Sequence, residues 1–481
     1  DETGYIVTCT KHPMQDKSVQ TYSVTTYDEY GNRVAASCEY KSKEEEYDDW
    51  GELVGFNWVT ETNQTTYTYD QAGRPLTISN NLASFTYTYN GGGQLTQRVE
   101  NFGTTGLTET FTYDASGCLT SSTLQGKTPV TVSYNSGRGI TNKSDVGTYS
   151  YGANGAPLAS INRVSSYNPG AQSITYNSSN LPASITQGGY TRTYTYDVND
   201  QRDYSVLTKS NSSLPFAASK RYYFGDFERN INTENGAVTD IDFIFADGRL
   251  VALVKTVGGT KTAYGVLTDR QGSLRALYNG SGLVQSFSYD AWGNRRNPGT
   301  GAALTTSELV AANSITARGY TCHEHMDEFG LINMNARIYD PSLGMFISVD
   351  PLAQEYYDTY PYAYCGGDPV NAVDPTGEST WVVQNVDGTY RIVGGDLNDK
   401  DRNIYIYKNQ DGQLVRGESI GFTTSITSFY NSDFNDGEGA WAIGSIIDPN
   451  DQSGNNFLTF IIENNPAMID DYAMNARKWQ K

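Results

Sequence analysis

The sequence is short of the residues that carry most familiar enzyme chemistry. It has three histidines (His12, His323 and His325) and five cysteines (Cys9, Cys38, Cys118, Cys322 and Cys365). The cysteines are scattered, odd in number and without a CxxC pair, which indicates neither a disulfide framework nor a zinc site. They read as small packing residues. Positive charge is scarce too: 34 Lys and Arg stand against 54 acids, a formal net charge of −20. Such a surface repels phosphate backbones and anionic lipid headgroups, so nucleic-acid binding by the bulk of the chain is not expected. No run approaches the roughly 18 consecutive apolar residues that a membrane-spanning helix needs. The opening DETGYIVTCT lacks the charged-then-apolar pattern of a secretion signal and reads as the middle of a longer chain.

What is abundant is Tyr (37), Gly (48) and Thr, in a chain only 37% hydrophobic. Tyr and Thr favour strands, and Gly, Asn and Asp favour tight turns between them. Helix is not expected before the C-terminal end. The first half repeats one pattern: YTYDQAGRPLTI, YTYNGGGQLT, FTYDASGCLT, VSYNSGRGI, ITYNSSNLPASI and YTYDVNDQRD, with an irregular step near Tyr149–Tyr151. The turn residue recurs at a spacing of roughly 20. In one unit, Tyr67 and Tyr69 share a face of an alternating strand, Asp70 opens the turn through its side-chain oxygen, and Gly73 supplies a positive φ. A single such hairpin cannot bury its face, so neighbours must stack into a continuous sheet.

Beyond residue 220 the strand pattern continues without the strict unit. The segments YGVLTDRQGSLRALYNGSGLVQSFSYDAWGNRR (264–296) and RGYTCHEHMDEFGLINMNARIYDPSLGMFISVDP, followed by DPVNAVDPTGE (to 378), then stand out. They resemble the core-associated region of RHS proteins, also called YD-repeat proteins, and the upstream units resemble YD repeats. The resemblance covers about residues 28–378. It implies an all-β fold, a spiralling array of β-hairpins forming a hollow cocoon-like shell, with a small α+β C-terminal segment inside. It also implies three parts: repeat shell (1–263), core-associated domain (264–377) and enclosed C-terminal cargo (378–481).

Many members of that family cut their own chain just after a DPxG motif. Carried over by resemblance, the catalytic residues are Arg337, Asp340 and Asp350, supported by Asp374 and Pro375, with the scissile region at Gly377–Glu378. The sequence departs from the family at Met345, where a basic residue is common, and at Gly367-Asp368-Pro369, where Asn-Asn-Pro is common. It also has Glu378 where many cleaving members have Leu.

Read from the residues alone, these aspartates have two meanings. Hydrolysis by two carboxyl groups needs one ionised and one protonated, and an adjacent arginine sets that asymmetry. Asp-Pro is equally a common turn opening, and it occurs at 340–341, 350–351, 368–369, 374–375 and 448–449. Asp374 reads as the turn before the cut and Asp327 as a hairpin turn. The His323-Glu324-His325 triplet places both imidazoles on one side of a strand but has no third soft ligand nearby except Cys322, so a packing or surface role is expected and no cofactor or metal is implied. LTDRQGSLRAL (267–277) lacks a phosphate-loop lysine and reads as a turn.

After residue 378 the character changes. TYRIVGGD and NIYIYKNQDGQLVRGESIGF read as strands, the latter turning at Asp411-Gly412, while NNFLTFIIEN and PAMIDDYAMNARKWQK read as helices. With 15 acids, 8 bases and no histidine in 378–481, this tail is poor in nuclease electrostatics. The resemblance implies that it is the intramolecular cargo, the head of a toxin, of a secreted or cell-surface bacterial effector. An immunity protein and a secretion-system component are the further partners it suggests. The alternative is a non-cleaving surface protein that binds glycan or a protein partner.

Overall fold

The computed structural model describes residues 64–350 and 360–374, apart from short internal stretches, together with the backbone of strands lying within 6–63 and 382–447. Antiparallel strands dominate. One sheet of 13 strands runs in strict sequence order from Ile6–His12 to Leu158–Arg163, and a second of 11 runs from Gln172–Tyr176 to Gly282–Ser286. The strand Thr260–Thr268 belongs to the second sheet and carries it across residue 263 without a break.

The turns explain why the order is so regular. At Asp70 the side-chain Oδ1 accepts from the N–H groups of Ala72 (2.9 Å) and Arg74 (3.0 Å), and Gly73 has φ 74°. The same Oδ1 pattern recurs at Asn90, Asp114, Asn135 and Asn177. It recurs again at Asp269 and Asp290, so the turn chemistry of the repeats persists in the core-associated region. In several units the tyrosine before the turn residue reaches back one unit. The hydroxyls of Tyr89, Tyr113, Tyr134 and Tyr196 donate to the carbonyls of Pro75, Leu95, Leu119 and Pro182, at 2.6–2.9 Å. Each acceptor lies five residues beyond the previous turn's Asp or Asn. Tyr therefore ties successive hairpins together as well as filling the sheet.

Alternation then separates the two faces. Tyr67, Tyr87, Phe111, Val132 and Tyr149 are buried on one side. The other side carries hydroxyl pairs such as Thr68–Thr77, Thr112–Thr120 and Thr186–Thr191. The buried face packs against Leu267, Ala276, Ala291, Trp292, Met345, Tyr360 and Tyr362, so the core-associated region fills the inner side of the first sheet. Each aromatic removed from water there contributes about 1.5–3 kcal/mol.

Buried charge locks the two parts in register. Arg98 and Arg296 both meet Glu109, Arg275 meets Glu100 and Asp269, and these six side chains are all buried. Under the second sheet, Glu324 receives Arg192, Arg202 and Arg221. Pairs of this kind are worth most as positional constraints, because removing one partner leaves a buried charge uncompensated.

One element corrects the sequence reading. Thr306–Ala312 is an α-helix, whereas no helix was expected before the C-terminal end. Its signal is present: Thr305 and Glu308 form a capping box ahead of Leu309, Val310, Ala311 and Ala312. Local capping here outweighs the strand bias of the surroundings. In the tail, strands at Tyr390–Ile392, Asn403–Gln410 and Gln413–Thr423 match expectation. The irregular repeat step near Tyr149–Tyr151 falls on the strand Gly147–Tyr151, which pairs with Leu158–Arg163. The turn at 411–412 and the two expected helices lie outside the described residues.

Candidate self-cleavage site

The strand Arg337–Asp340 lies in a four-stranded sheet between Leu331–Met334 and Met345–Phe346. Its period of two sends Arg337 and Tyr339 to one side, and Ile338 and Asp340 to the other. The two charged ends of this short strand therefore meet different surroundings.

Arg337 is 2% exposed and lies over the ring of Phe346, 3.6 Å from its centroid. Its Nη1 meets Asp350 Oδ2 at 3.0 Å, and its Nη2 donates to Asp374 Oδ2 at 3.0 Å. Asp350 is fixed by its own N–H, which donates to the carbonyl of Pro361 at 2.9 Å. Two carboxyl groups thus share one buried guanidinium, an arrangement that fixes both in place. The Cys365 thiol is pushed well up by burial and then by the neighbouring Asp374 charge.

Asp340 does a different job. Its Oδ1 accepts from Leu343 N–H (3.0 Å), and its carbonyl accepts from Gly344 N–H (2.8 Å), closing a turn over PSLG. Gly344 has φ 73°, and a Cβ there would come within 2.9 Å of Trp292 Cδ1. The turn is pinned by Tyr149 Oη on the Leu343 carbonyl and by Asn294 Nδ2 on the Pro341 carbonyl, both 3.0 Å. Burial pushes the Asp340 carboxyl up to about 6; the N–H groups of Leu343 and Ser342 and the charges of Lys143 and Arg163 pull the other way. The structure therefore brings Arg337 together with Asp350 and Asp374, and seats Asp340 in its own turn on the opposite face.

The chain leading to Asp374 is held at almost every residue. The Pro369 carbonyl accepts from Tyr320 Oη (2.8 Å) and Gln271 Nε2 (2.9 Å), and the Ala372 carbonyl from the same Gln271 Nε2 (2.9 Å). Arg270 donates to the Val370 carbonyl. Asn371 accepts from Leu95 N–H (2.8 Å) and donates to Tyr113 Oη (2.9 Å), so a repeat turn and a repeat tyrosine both grip it. Ala372–Val373 then pairs antiparallel with Val382–Gln384, the first strand of the tail. Pro375, Gly377 and Glu378 lie outside the described residues.

None of these grips on 369–374 was readable in advance. Asp374 was taken for a turn, and nothing local pointed to Arg337 as its partner. The one hint was an arginine in a strand of buried residues, which must find carboxylates somewhere.

The other candidates resolve simply. His323 and His325 are buried; Thr321 Oγ1 lies 2.8 Å from His323 Nδ1, and His325 Nε2 accepts from Tyr320 N–H. Burial, then the Arg295 charge, lowers His325 to about 4, against the pull of Asp327. Asp327 pairs with Arg295 at 3.0 Å and accepts from Asn313. Among the described residues no group of three or more His, Cys, Asp or Glu is gathered for a metal. Asp269, in LTDRQGSL, opens a repeat-type turn with Gly272 at φ 77°.

Three comparisons bear on this architecture. The tRNA3(Ser)-specific nuclease WapA of Bacillus spizizenii is 29% identical over 217 residues, which is 40% of this chain and 9% of that protein. The tRNA nuclease WapA of Bacillus subtilis is 30% identical over 218 residues, with the same shares. Salivary gland surface protein 1 of Aedes aegypti is 34% identical over 116 residues, 24% of this chain and 3% of that protein. The match therefore spans no more than 9% of these curated relatives. Among solved structures, the Tc holotoxin pore of Photorhabdus luminescens aligns with 75% of this chain and 20% of its own, at TM-score 0.45 and 17% identity. The family model described as the teneurin YD-shell matches residues 76–362, more than half of the chain, and the chain belongs to that family of RHS, or YD-repeat, shell proteins.

Proposed function

We propose that this RHS-type chain encloses its own C-terminal segment and cuts the connection to it after the DPTG motif, between Gly377 and Glu378. The observation that carries the proposal is the double ion pair of Arg337, which holds Asp350 and the motif's own Asp374 at 3.0 Å each. Gly377 is three residues beyond Asp374. A chain that short extends at most about 11 Å, which bounds the distance of the bond from Asp374.

In the cutting step Asp350, held by Arg337, takes a proton from water. The resulting hydroxide adds to the Gly377 carbonyl carbon, and Asp350 returns that proton to the Glu378 nitrogen as the C–N bond breaks. Asp340, in its own turn on the opposite face of its strand, stands outside this step. The products are a Gly377 carboxylate and a free Glu378 amine. The reaction is single-turnover, because 369–374 stays gripped in the site.

The tail strand Val382–Gln384 pairs with Ala372–Val373 on the other side of the cut, so backbone pairing spans the bond. That fits a cargo retained after cleavage. Its setting would be a secreted or cell-surface toxin delivered with an immunity protein and a secretion apparatus. Limited proteolysis tests the enclosure: with the shell intact, the tail should resist protease, and acid or denaturant opening should expose it. Rapid tail digestion under native conditions would instead favour the non-cleaving surface-protein reading.

A further inference from the structure

We infer that the Arg337–Asp374 pair is a ruler: it fixes which bond is cut by its distance from Asp374, not by the identity of the residues at the bond. The inference rests on the self-cleavage reading and assigns its bond selectivity.

The approach to Asp374 is immobilised along its length. The carbonyls of Pro369, Val370 and Ala372, and the side chain of Asn371, are all engaged by groups from distant parts of the chain. Gln271 is the pivotal one, since its single Nε2 donates to Pro369 and Ala372 together. It projects from the Asp269 turn, which is itself closed by Oδ1 bonds to Gln271 and Ser273 N–H. The segment cannot slide by one residue without breaking this set. Asp374 then ends the immobilised run in a pair where both side chains are 2% exposed. A carboxylate in that place has no water to fall back on, so a shift of register would leave it buried and unpaired.

Downstream, the next backbone pairing among the described residues is at Val382. Nothing in the sequence 375–381 carries a charge opposite to Asp350 or Asp374, and its one ionisable side chain, Glu378, is of the same sign. Like charge at Glu378 disfavours its drawing close to Asp350, so attraction by the bond's own residues does not select it. The remaining determinant is chain length from the anchor. Glu378 in place of the family's usual Leu is then tolerated, because that side chain is not read.

Insertion tests this directly. One glycine is placed between Thr376 and Gly377 in the full chain, and a control glycine between Glu378 and Ser379. Either choice of bond in the first variant keeps a glycine on the acyl side, so the chemistry is matched. Fragment masses and N-terminal sequencing are the readout. The ruler predicts that the released fragment begins with Gly377 in the first variant and with Glu378 in the control, as in wild type. A first variant whose released fragment begins with Glu378, or which stays uncut while the control is cut, overturns the ruler. Wild type that is never cut overturns the cleavage reading beneath it, a separate outcome. A second arm replaces the anchor: Asp374→Asn is predicted to slow cutting at least tenfold and to spread it over neighbouring bonds. Cutting at the single wild-type bond and rate in D374N would also refute the ruler.

Discussion

Asp340 and Asp350 are both followed by proline and stand ten residues apart, yet the fold uses them in opposite ways. Asp340 caps its own turn through backbone N–H groups, and burial pushes its carboxyl up to about 6. Asp350 is held by a guanidinium that also holds Asp374. The difference comes from strand parity and neighbours, because the dipeptides are identical. Arg337 and Asp340 share one four-residue strand, and a separation of three sends them to opposite faces. A neutralisable carboxyl and an ion-paired one are thereby produced from the same residue type, but in different surroundings, so the two do not face each other as an acid–base pair.

The comparison can be broken most sharply at Asp350. Asp350→Asn is expected to leave a single full-length band on a denaturing gel after days, where wild type gives two. Cutting by that variant at the wild-type rate would remove Asp350 from the site. The pH profile comes next. With Asp340 outside the cutting step, its titration at about 6 should leave the rate within about twofold between pH 5 and 8. A fall of about tenfold per unit above pH 6, followed by gel densitometry, would return Asp340 to the reaction.

Asp340→Asn sharpens the contrast further. Asn accepts from the N–H three residues on at Asn80 and Asn297, as Asp340 does, so the fold should survive. Cutting should stay within about twofold of wild type; a loss of tenfold or more would place Asp340 in the reaction. Stability should also change its pH response. The Asp340 carboxyl titrates at about 6 when folded against 3.8 as its reference. Between those values the native state holds a proton that the unfolded chain has lost. Stability therefore falls by about 3 kcal/mol as pH rises through this window and stays low above it. Denaturant melts of the Asn variant should lack that decline. The smallest effect belongs to a turn aspartate far from the site. Asp114→Ala removes the acceptor for Ser116 and Cys118 N–H and should cost about 1–2 kcal/mol with cutting unchanged.

The parts of this molecule that were legible in the sequence are those with a period. The Asp70 type of turn needs an Asx oxygen and a residue with positive φ within five positions, so its chemistry is spelled out locally and repeated. Strand alternation around Tyr67 and Tyr69 is equally local. The reach of Tyr113 to the Leu95 carbonyl is periodic too, but its acceptor is a backbone atom that no residue letter marks. Ion pairs have no period at all. Arg337 and Asp374 are 37 residues apart, and Arg192 and Glu324 are 132 apart. Their meeting follows from how the sheets close on the core-associated region. The placement of Asp350 beside Arg337 came through family resemblance, while Asp374's grip on the same arginine came only with the fold. The helix Thr306–Ala312 was the opposite case, since its capping box was visible and was outweighed by the strand-rich context.

The central claim is that a fixed carboxylate and an anchored DPTG motif cut this chain at one bond. The most direct test is the intact mass of wild-type protein, purified and held at pH about 5.5 and about 7. The account predicts two polypeptides under denaturing conditions, one ending at Gly377 and one beginning at Glu378, which travel together under native conditions. A single uncut chain at both pH values would contradict it.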